Sequence, residues 1–216
     1  MKNIYHSDIY KFDTPVSSYW EDISTENLNL EKLTKDINSE IVVIGGGYTG
    51  LLCAINLIEN HNLDVILVEA GKIGWGASSR NAGFNCLPPS KMSFKKMQSI
   101  YGIEETKKFF KNSVEGSIHT RDIIKEYNIQ CDVTGDCNYV VAHHKSKFEQ
   151  IKEQAEAYKS EFGIKTEIYS KEEFNEIGHG GTEQYGAFSY KPGFAINPLK
   201  FLNGIAKYGL SKKLKM

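Results

Sequence analysis

The stretch from Ile41 to Gly83 constrains the fold more than any other part of the chain. Ile41-Val42-Val43-Ile44 is a short, continuously apolar, β-branched run, which predicts a buried parallel strand. Gly45-Gly46-Gly47-Tyr48-Thr49-Gly50 follows at once, with glycines 45, 47 and 50 in the G-x-G-x-x-G spacing. Leu51 to Ile58 continues as a helix, and Asp64-Val65-Ile66-Leu67-Val68 predicts a second buried strand that ends on Glu69. Each glycine has a separate physical task. Gly45 lets the chain leave the strand in a tight turn, Gly47 has no Cβ to keep a pyrophosphate from the backbone, and Gly50 lets the helix lie close to the strand. The helix N-terminus then offers unpaired N–H groups and the positive end of its dipole. Glu69 stands where a carboxylate accepts hydrogen bonds from ribose hydroxyls.

A G-x-G-x-x-G by itself is a weak signal, because Gly-rich turns are common. Strand, glycines, helix, second strand and terminal acid in the right order form a dinucleotide-site pattern that an ordinary Gly-rich turn has no reason to reproduce. These residues suit NAD and FAD equally. The next stretch, Gly71-Lys72-Ile73-Gly74-Trp75-Gly76-Ala77-Ser78-Ser79-Arg80-Asn81-Ala82-Gly83-Phe84, bears on the choice. Small residues at 76 to 79 allow a ligand close to the backbone, and Arg80 can present a planar fork to a phosphate or a ring carbonyl. Arg80 and Arg121 are the only arginines in a chain otherwise supplied with Lys. Trp75 either packs near a cofactor ring or fills core, and the residues leave both open.

Gly45 to Leu51, Glu69-Ala70 and Ile73 to Gly83 together resemble the FAD-dependent amine and amino-acid oxidases of the D-amino-acid oxidase/glycine oxidase superfamily, in particular its γ-glutamylputrescine oxidase-like branch. The family pattern reads G-G-G-Y-T-G-L, then "EA", then I-G-W-G-A-S-G-R-N-G-G. This chain departs from it at Ser79 and Ala82, where Gly is usual, and the extra hydroxyl and Cβ at Ser79 bear on the path of the loop. The resemblance covers the whole chain but only the N-terminal half of a family member. It implies FAD as cofactor, with Gly45, Gly46, Gly47, Thr49 and Gly50 at the pyrophosphate and Glu69 with Ala70 at the adenosine ribose. Ala77, Ser78, Ser79, Arg80, Asn81 and Gly83 would line the stretch from pyrophosphate to isoalloxazine. The implied chemistry is oxidation of a C–N bond of a small-molecule amine or amino acid, with hydride transfer to the flavin and reoxidation commonly by O₂. No catalytic residue is identified, since the family's substrate-binding groups come largely from the half not represented.

The implied fold class is α/β: a Rossmann-like FAD-binding βαβ with part of an α+β substrate domain, truncated. The expected organisation is an N-terminal arm over 1–38, an FAD-binding part with following helices over 39–130, a partial substrate domain over 131–196, and a return helix and tail over 197–216. In the arm, Ser17-Ser18-Tyr19-Trp20 resembles a short lead before the first strand. Anchoring of the arm through its aromatics is favoured over a place above the substrate entrance. Pro88-Pro89 is expected to end the cofactor loop. Helices are expected over 93–101 and 104–127, with Gly116 as a kink or close crossing, and over 145–162 with Gly163 as cap. Ser170-Lys171-Glu172-Glu173 is a capping-box start, Gly178 to Gly181 (including His179) a flexible link, and Asn197-Pro198 a helix opening. The tail from Gly209 to Met216 reads as short and basic, so the next strand of the FAD-domain sheet is expected to be missing.

Other classes are disfavoured. A net charge of −1 gives no electrostatic case for nucleic acid or an anionic membrane. The apolar run from Ile41 is broken by glycines and too short to span a bilayer, and Met1 to His6 lack the apolar core of a signal peptide. Cys53, Cys86, Cys131 and Cys137 show neither C-x-x-C spacing nor a disulfide framework, which suits a reducing, cytoplasmic setting; Cys53 is expected to be a buried small hydrophobe. No metal site is expected, and His119, His143 and His144 read as surface or packed histidines. Three functional readings stand side by side: an FAD-dependent oxidoreductase portion, a non-catalytic fragment or half of a split enzyme needing a second chain, and an NAD-binding module. The stretch from Ile73 to Gly83 argues against the last.

Overall fold

The computed structural model describes residues 6–12, 14, 17–24, 28–87, 92–178 and 180–216. Pro88, Pro89 and His179 lie outside the described residues, as do Met1 to Tyr5 and Pro15. The first elements are helix α1 (Tyr19–Asp22), strand β1 (Ile41–Ile44), helix α2 (Tyr48–His61) and strand β2 (Val65–Val68). Strand β3 (Phe84–Asn85), helix α3 (Phe94–Glu126), strand β4 (Asn138–Val141), helix α4 (Lys145–Phe162) and strand β5 (Lys165–Tyr169) follow. Helix α5 (Lys171–Ile177), strands β6 (Ala187–Lys191) and β7 (Phe194–Ala195), and helix α6 (Pro198–Ser211) complete the order. The chain divides into two compact units: residues 1–83, 123–132 and 196–216 form the first, and residues 84–122 and 133–195 the second.

In the first unit β1 and β2 pair in parallel, with Ile41 opposite Val65 and Ile44 opposite Val68. Helix α2 packs on both strands and on α6. Leu51, Ala54 and Ile55 are its buried stripe, at the three- and four-residue steps of a helix face. Cys53 falls between these positions and is exposed, contrary to the buried role expected from its place in the helix. Helix α6 starts as the Asn197-Pro198 pair predicts: the Asn197 side chain accepts from the backbone amides of Leu199 and Lys200, both at 3.1 Å.

The apolar run predicts β1 as a buried parallel strand, yet Val42 is 56% and Ile44 86% exposed, while Val65, Ile66 and Leu67 of β2 are buried. The reason is position. β1 pairs with β2 on one side only, so its outer edge and one of its faces are uncovered among the described residues. The tail adds a contact that its basic composition does not announce. Lys215 forms a parallel bridge with Ile66, the Leu67 amide donates to the Lys215 carbonyl at 2.8 Å, and Leu214 is 2% exposed. The basic tail therefore makes one isolated parallel bridge to β2, while the sheet itself remains two-stranded, as the missing next strand leads one to expect. The lysines at 212, 213 and 215 hid this contact in the sequence. One buried Leu and one backbone bridge dock the tail, and Lys215 sends its ammonium to Asp64 at 2.6 Å.

The second unit is a three-stranded antiparallel sheet in the order β4–β6–β5, packed against α4. Its core gathers Phe110, Ile151, Ala155, Tyr158, Phe188 and Tyr190. Phe110 stacks on Phe162 with ring centroids 4.0 Å apart, and Tyr158 meets Phe188 and Tyr190 edge-on. α4 has the expected bounds and ends on Gly163 at φ 64°, and α5 opens with the full Ser170/Glu173 capping box. α3 is interrupted at Gly102 (φ 78°), between the two expected helices, and not at Gly116, whose surroundings are open.

Candidate functional site

Gly45 leaves β1 with φ +105°, a left-handed conformation that a side chain would strain, while its amide still bonds to the Val68 carbonyl at 2.8 Å. The turn then packs without room for side chains. A Cβ on Gly46 would lie 2.1 Å from Ile73 Cδ1, one on Gly47 2.9 Å from Ser78 Oγ, and one on Gly50 1.9 Å from the Gly45 carbonyl oxygen. Gly50 is thus the contact that lets α2 lie against the strand end, and Gly47 is the contact that lets the cofactor loop lie against the helix start.

The N-terminus of α2 carries the anion-binding capacity. Gly47 is its N-cap with no side-chain capping bond, and the first intrahelical amide bond runs from Leu51 to Gly47 at 3.0 Å. The amides of Tyr48, Thr49 and Gly50 precede that bond, so the helix itself offers them no partner. Ser78 Oγ lies 3.3 Å from the Tyr48 amide. Thr49 is exposed beside them.

Glu69 ends up at the end of β2 with its carboxylate shared between two backbone amides, Gly46 at 2.7 Å and Gly71 at 3.0 Å. It ties the glycine turn to the start of the following loop. Each oxygen retains a lone pair for a further donor such as a ribose hydroxyl. Ala70 next to it is exposed.

The loop 71–83 has only a short 3₁₀ turn of its own, Ala77–Ser79. Side chains hold the rest. Ser79 is 2% exposed, and its hydroxyl turns inward to the carbonyls of Gly74 and Gly76. The hydroxyl that departs from the family pattern is therefore a brace inside the loop. Asn81 donates to the carbonyls of Ala77 (3.2 Å) and Ser78 (3.0 Å) and accepts from the Gly83 amide (2.9 Å). Gly83, at φ +77°, lies against Ile196, whose amide donates to the Gly83 carbonyl at 2.9 Å. Ala77 is exposed.

Arg80 does not stand alone at this loop. Its Nε donates to the Trp75 carbonyl at 2.8 Å, and a terminal nitrogen reaches Glu21 Oε2 at 3.2 Å. Lys72 takes the other Glu21 oxygen at 2.6 Å. Burial pushes the Glu21 carboxyl up, but the Lys72 hydrogen bond and the Lys72 and Arg80 charges outweigh it and hold the group below its ordinary value. Trp20 donates its indole N–H to the Asn81 carbonyl at 2.8 Å, whereas Tyr19 remains 67% exposed. Trp75 meets Phe12 edge-on at 5.1 Å, and its own N–H is buried with no hydrogen-bond partner among the described residues. Glu21, Lys72 and Phe12 were not singled out from the sequence. The signal that could have found Glu21 is the S-x-x-E spacing of Ser18 and Glu21, which caps α1 through the Glu21 amide and Ser18 Oγ at 3.3 Å.

These observations fit a dinucleotide with a pyrophosphate. A crowded glycine turn leaves backbone amides unpaired at a helix N-terminus, with a carboxylate at the adjoining strand end and a braced small-residue loop beside them. Among the described residues no group of three His, Cys, Asp or Glu could hold a metal ion, and no helix is long and apolar enough to cross a membrane.

Comparison with known proteins agrees with this geometry. The model of a family described as DAO, FAD dependent oxidoreductase, matches residues 40–214. The chain is 32% identical over 144 residues to gamma-glutamylputrescine oxidoreductase from Escherichia coli K12, a match covering 66% of this chain and 33% of the relative. It is 28% identical over 214 residues to the probable oxidoreductase OrdL of Haemophilus influenzae, covering 92% of this chain and 45% of the relative. Among solved structures, L-amino acid deaminase from Proteus myxofaciens superposes with a TM-score of 0.67 at 17% identity, covering 88% of this chain and 40% of that one, which shows the shared fold. The chain spans less than half the length of each of these proteins.

Proposed function

The chain belongs to the DAO family of FAD-dependent oxidoreductases, and from that membership we propose that it is the flavin-binding portion of an enzyme oxidising a C–N bond of a small amine or amino acid. The observation that carries the reading is the first turn of α2, set between the glycine turn and Ser78, whose Thr49 and Gly50 amides have no partner within the helix. In this reading the amides of Gly47, Thr49 and Gly50 hold the pyrophosphate, with Gly45 supplying the turn and Gly46 fixing it through its bond to Glu69. Glu69 and Ala70 adjoin the adenosine ribose. Ala77, Ser78, Ser79, Arg80, Asn81 and Gly83 form the loop along the path toward the isoalloxazine. Of these, Ser79 and Arg80 act through backbone placement, because their side chains are engaged within the unit. Bound flavin supplies the two-electron acceptor for the hydride leaving the carbon that bears the amine. The first compact unit is then the FAD-binding part and the second belongs to the substrate-binding part. No residue is assigned a catalytic role. A reducing cytoplasmic setting is supported by four free cysteines.

A second reading has its own observation. The outer edge of β1, with Val42 and Ile44 exposed, is an apolar strand edge of the kind that further polypeptide covers. On that reading the 216-residue chain retains flavin only together with a second chain. The visible absorption spectrum of the purified protein, with flavin-to-protein stoichiometry, tests both. A flavin spectrum near one equivalent, bleached anaerobically by an amine, supports the first reading. A chain that takes up no FAD refutes autonomous binding and favours the second.

A further inference from the structure

We propose that Glu21 is a positioning residue for the cofactor loop, and that residues 18–22 form a clasp fixing the path of residues 71–83. In this arrangement Arg80 serves the clasp instead of contacting the cofactor phosphates. The inference rests on the FAD-binding reading for its consequence but on the structure of the first unit for its geometry.

The loop needs such a device. It has a single 3₁₀ turn of regular structure, and its small residues supply little packing. Its own braces, Ser79 and Asn81, close local bonds of two to five residues' span. The clasp adds the long-range ones. Trp20 to Asn81, Glu21 to Lys72 and Glu21 to Arg80 tie the two ends of the loop to a helical turn more than fifty residues earlier in sequence. Phe12 contributes apolar contact: it lies edge-on to Trp75, and a Cβ on Gly71 would come 3.2 Å from it.

Arg80 is the strut of this arrangement. One side of its guanidinium is spent on the Trp75 carbonyl and another on Glu21. Glu21 and Arg80 are both about four-fifths buried, with side-chain exposures of 22% and 21%, so water competes weakly for their contact. Moving the guanidinium to a ligand would take a donor from the partly buried Trp75 carbonyl and a charged donor from Glu21 together. A loop already held in its binding shape loses less conformational entropy when the cofactor enters, and this is how the clasp raises affinity.

The opposite role would reverse the sign. If Glu21 merely occupied two cations that otherwise attract phosphate, neutralising it would strengthen binding. Glu21→Gln keeps the shape and removes the charge, and Trp20→Phe keeps an aromatic ring, smaller than the indole, and removes the N–H. The test measures the FAD dissociation constant by flavin fluorescence, and hydrogen exchange of the cofactor-free chain in peptides covering 72–83, with Leu67 in β2 as an internal reference. The clasp predicts that Glu21→Gln weakens FAD about tenfold and Trp20→Phe about threefold. Loop exchange accelerates in both, and Leu67 stays protected. Tighter or unchanged FAD binding, or weaker binding without faster loop exchange, overturns the proposal. If Leu67 also loses protection in Glu21→Gln, the Trp20→Phe variant decides. If the wild-type chain takes up no FAD, autonomous binding fails, and loop exchange alone decides the clasp.

Discussion

Gly50→Ala sets two known effects against each other. Gly50 lies in the first turn of α2, where Ala is intrinsically the better helix former by about 0.8–1 kcal/mol. On propensity alone the variant should be more stable. The structure opposes this. The new Cβ would sit 1.9 Å from the Gly45 carbonyl oxygen, 3.1 Å from the Gly45 carbonyl carbon and 3.4 Å from Val43 Cγ1. Since real Cβ atoms essentially never come closer than 3.0 Å, the helix start must retreat by ~1.1 Å from a close-packed neighbour. The obstacle is backbone at the end of β1, which cannot rotate away as a side-chain tip can. Forced shifts of this kind cost about 1–3 kcal/mol, which outweighs the propensity gain. Gly116→Ala is the control: it too is a helical glycine, but nothing lies within 4 Å of its Cβ position. Urea unfolding followed by far-UV circular dichroism should place Gly50→Ala below wild type by roughly 1–2 kcal/mol and Gly116→Ala above it by about 0.8 kcal/mol. The two sites belong to different compact units, so each is compared with the corresponding wild-type transition. A Gly50→Ala protein as stable as Gly116→Ala would refute the claim that close helix–strand approach requires a glycine here.

Three further expectations follow from the same unit. Leu214→Ala removes a buried side chain from the tail beside β2 and should cost about 2–4 kcal/mol in urea unfolding; a cost under 1 kcal/mol would show that the tail is not docked there. Ile44→Lys, at 86% exposure on the outer face of β1, should change stability by less than about 0.5 kcal/mol while reducing self-association in analytical ultracentrifugation, and a large loss of stability would mean that this face is covered in solution. The Glu21 carboxyl is held below its ordinary value of 4.5 in the folded chain, so the stability it contributes is complete above that unfolded value and is lost as pH falls through the lowered folded one. An acid titration of unfolding free energy should therefore fall less steeply in Glu21→Gln than in wild type, and identical acid limbs would rule out the charge as the source.

Some of this was legible because it depends on neighbours in sequence. The glycine turn, the α2 start, the Gly163 cap, the Ser170/Glu173 box and the Asn197-Pro198 opening are each fixed by a few adjacent residues, and the structure has them at the expected positions. Membership of the family is legible for the same reason, since its motif is one ordered run from Ile41 to Gly83. Other features depend on what lies across the fold. Cys53 was assigned by its helix instead of by its face of that helix. The apolar run of β1 reads as buried, but burial needs a covering layer that a local pattern does not contain. The basic tail reads as short and not a strand, and its docking is not legible because it rests on Leu214 packed by Gly209 and on one bond from Leu67.

The cofactor loop divides along the same line. Its composition by itself determined that a ligand can come close, because small residues and glycines leave backbone accessible whatever surrounds them. Which side chains face that ligand was decided only by tertiary structure. Ser79 turns inward to carbonyls of its own loop, and Arg80 meets a carboxylate supplied from α1, 59 positions earlier in the chain. A charged side chain goes to whatever opposite charge the fold brings within reach, and sequence spacing carries no record of that distance.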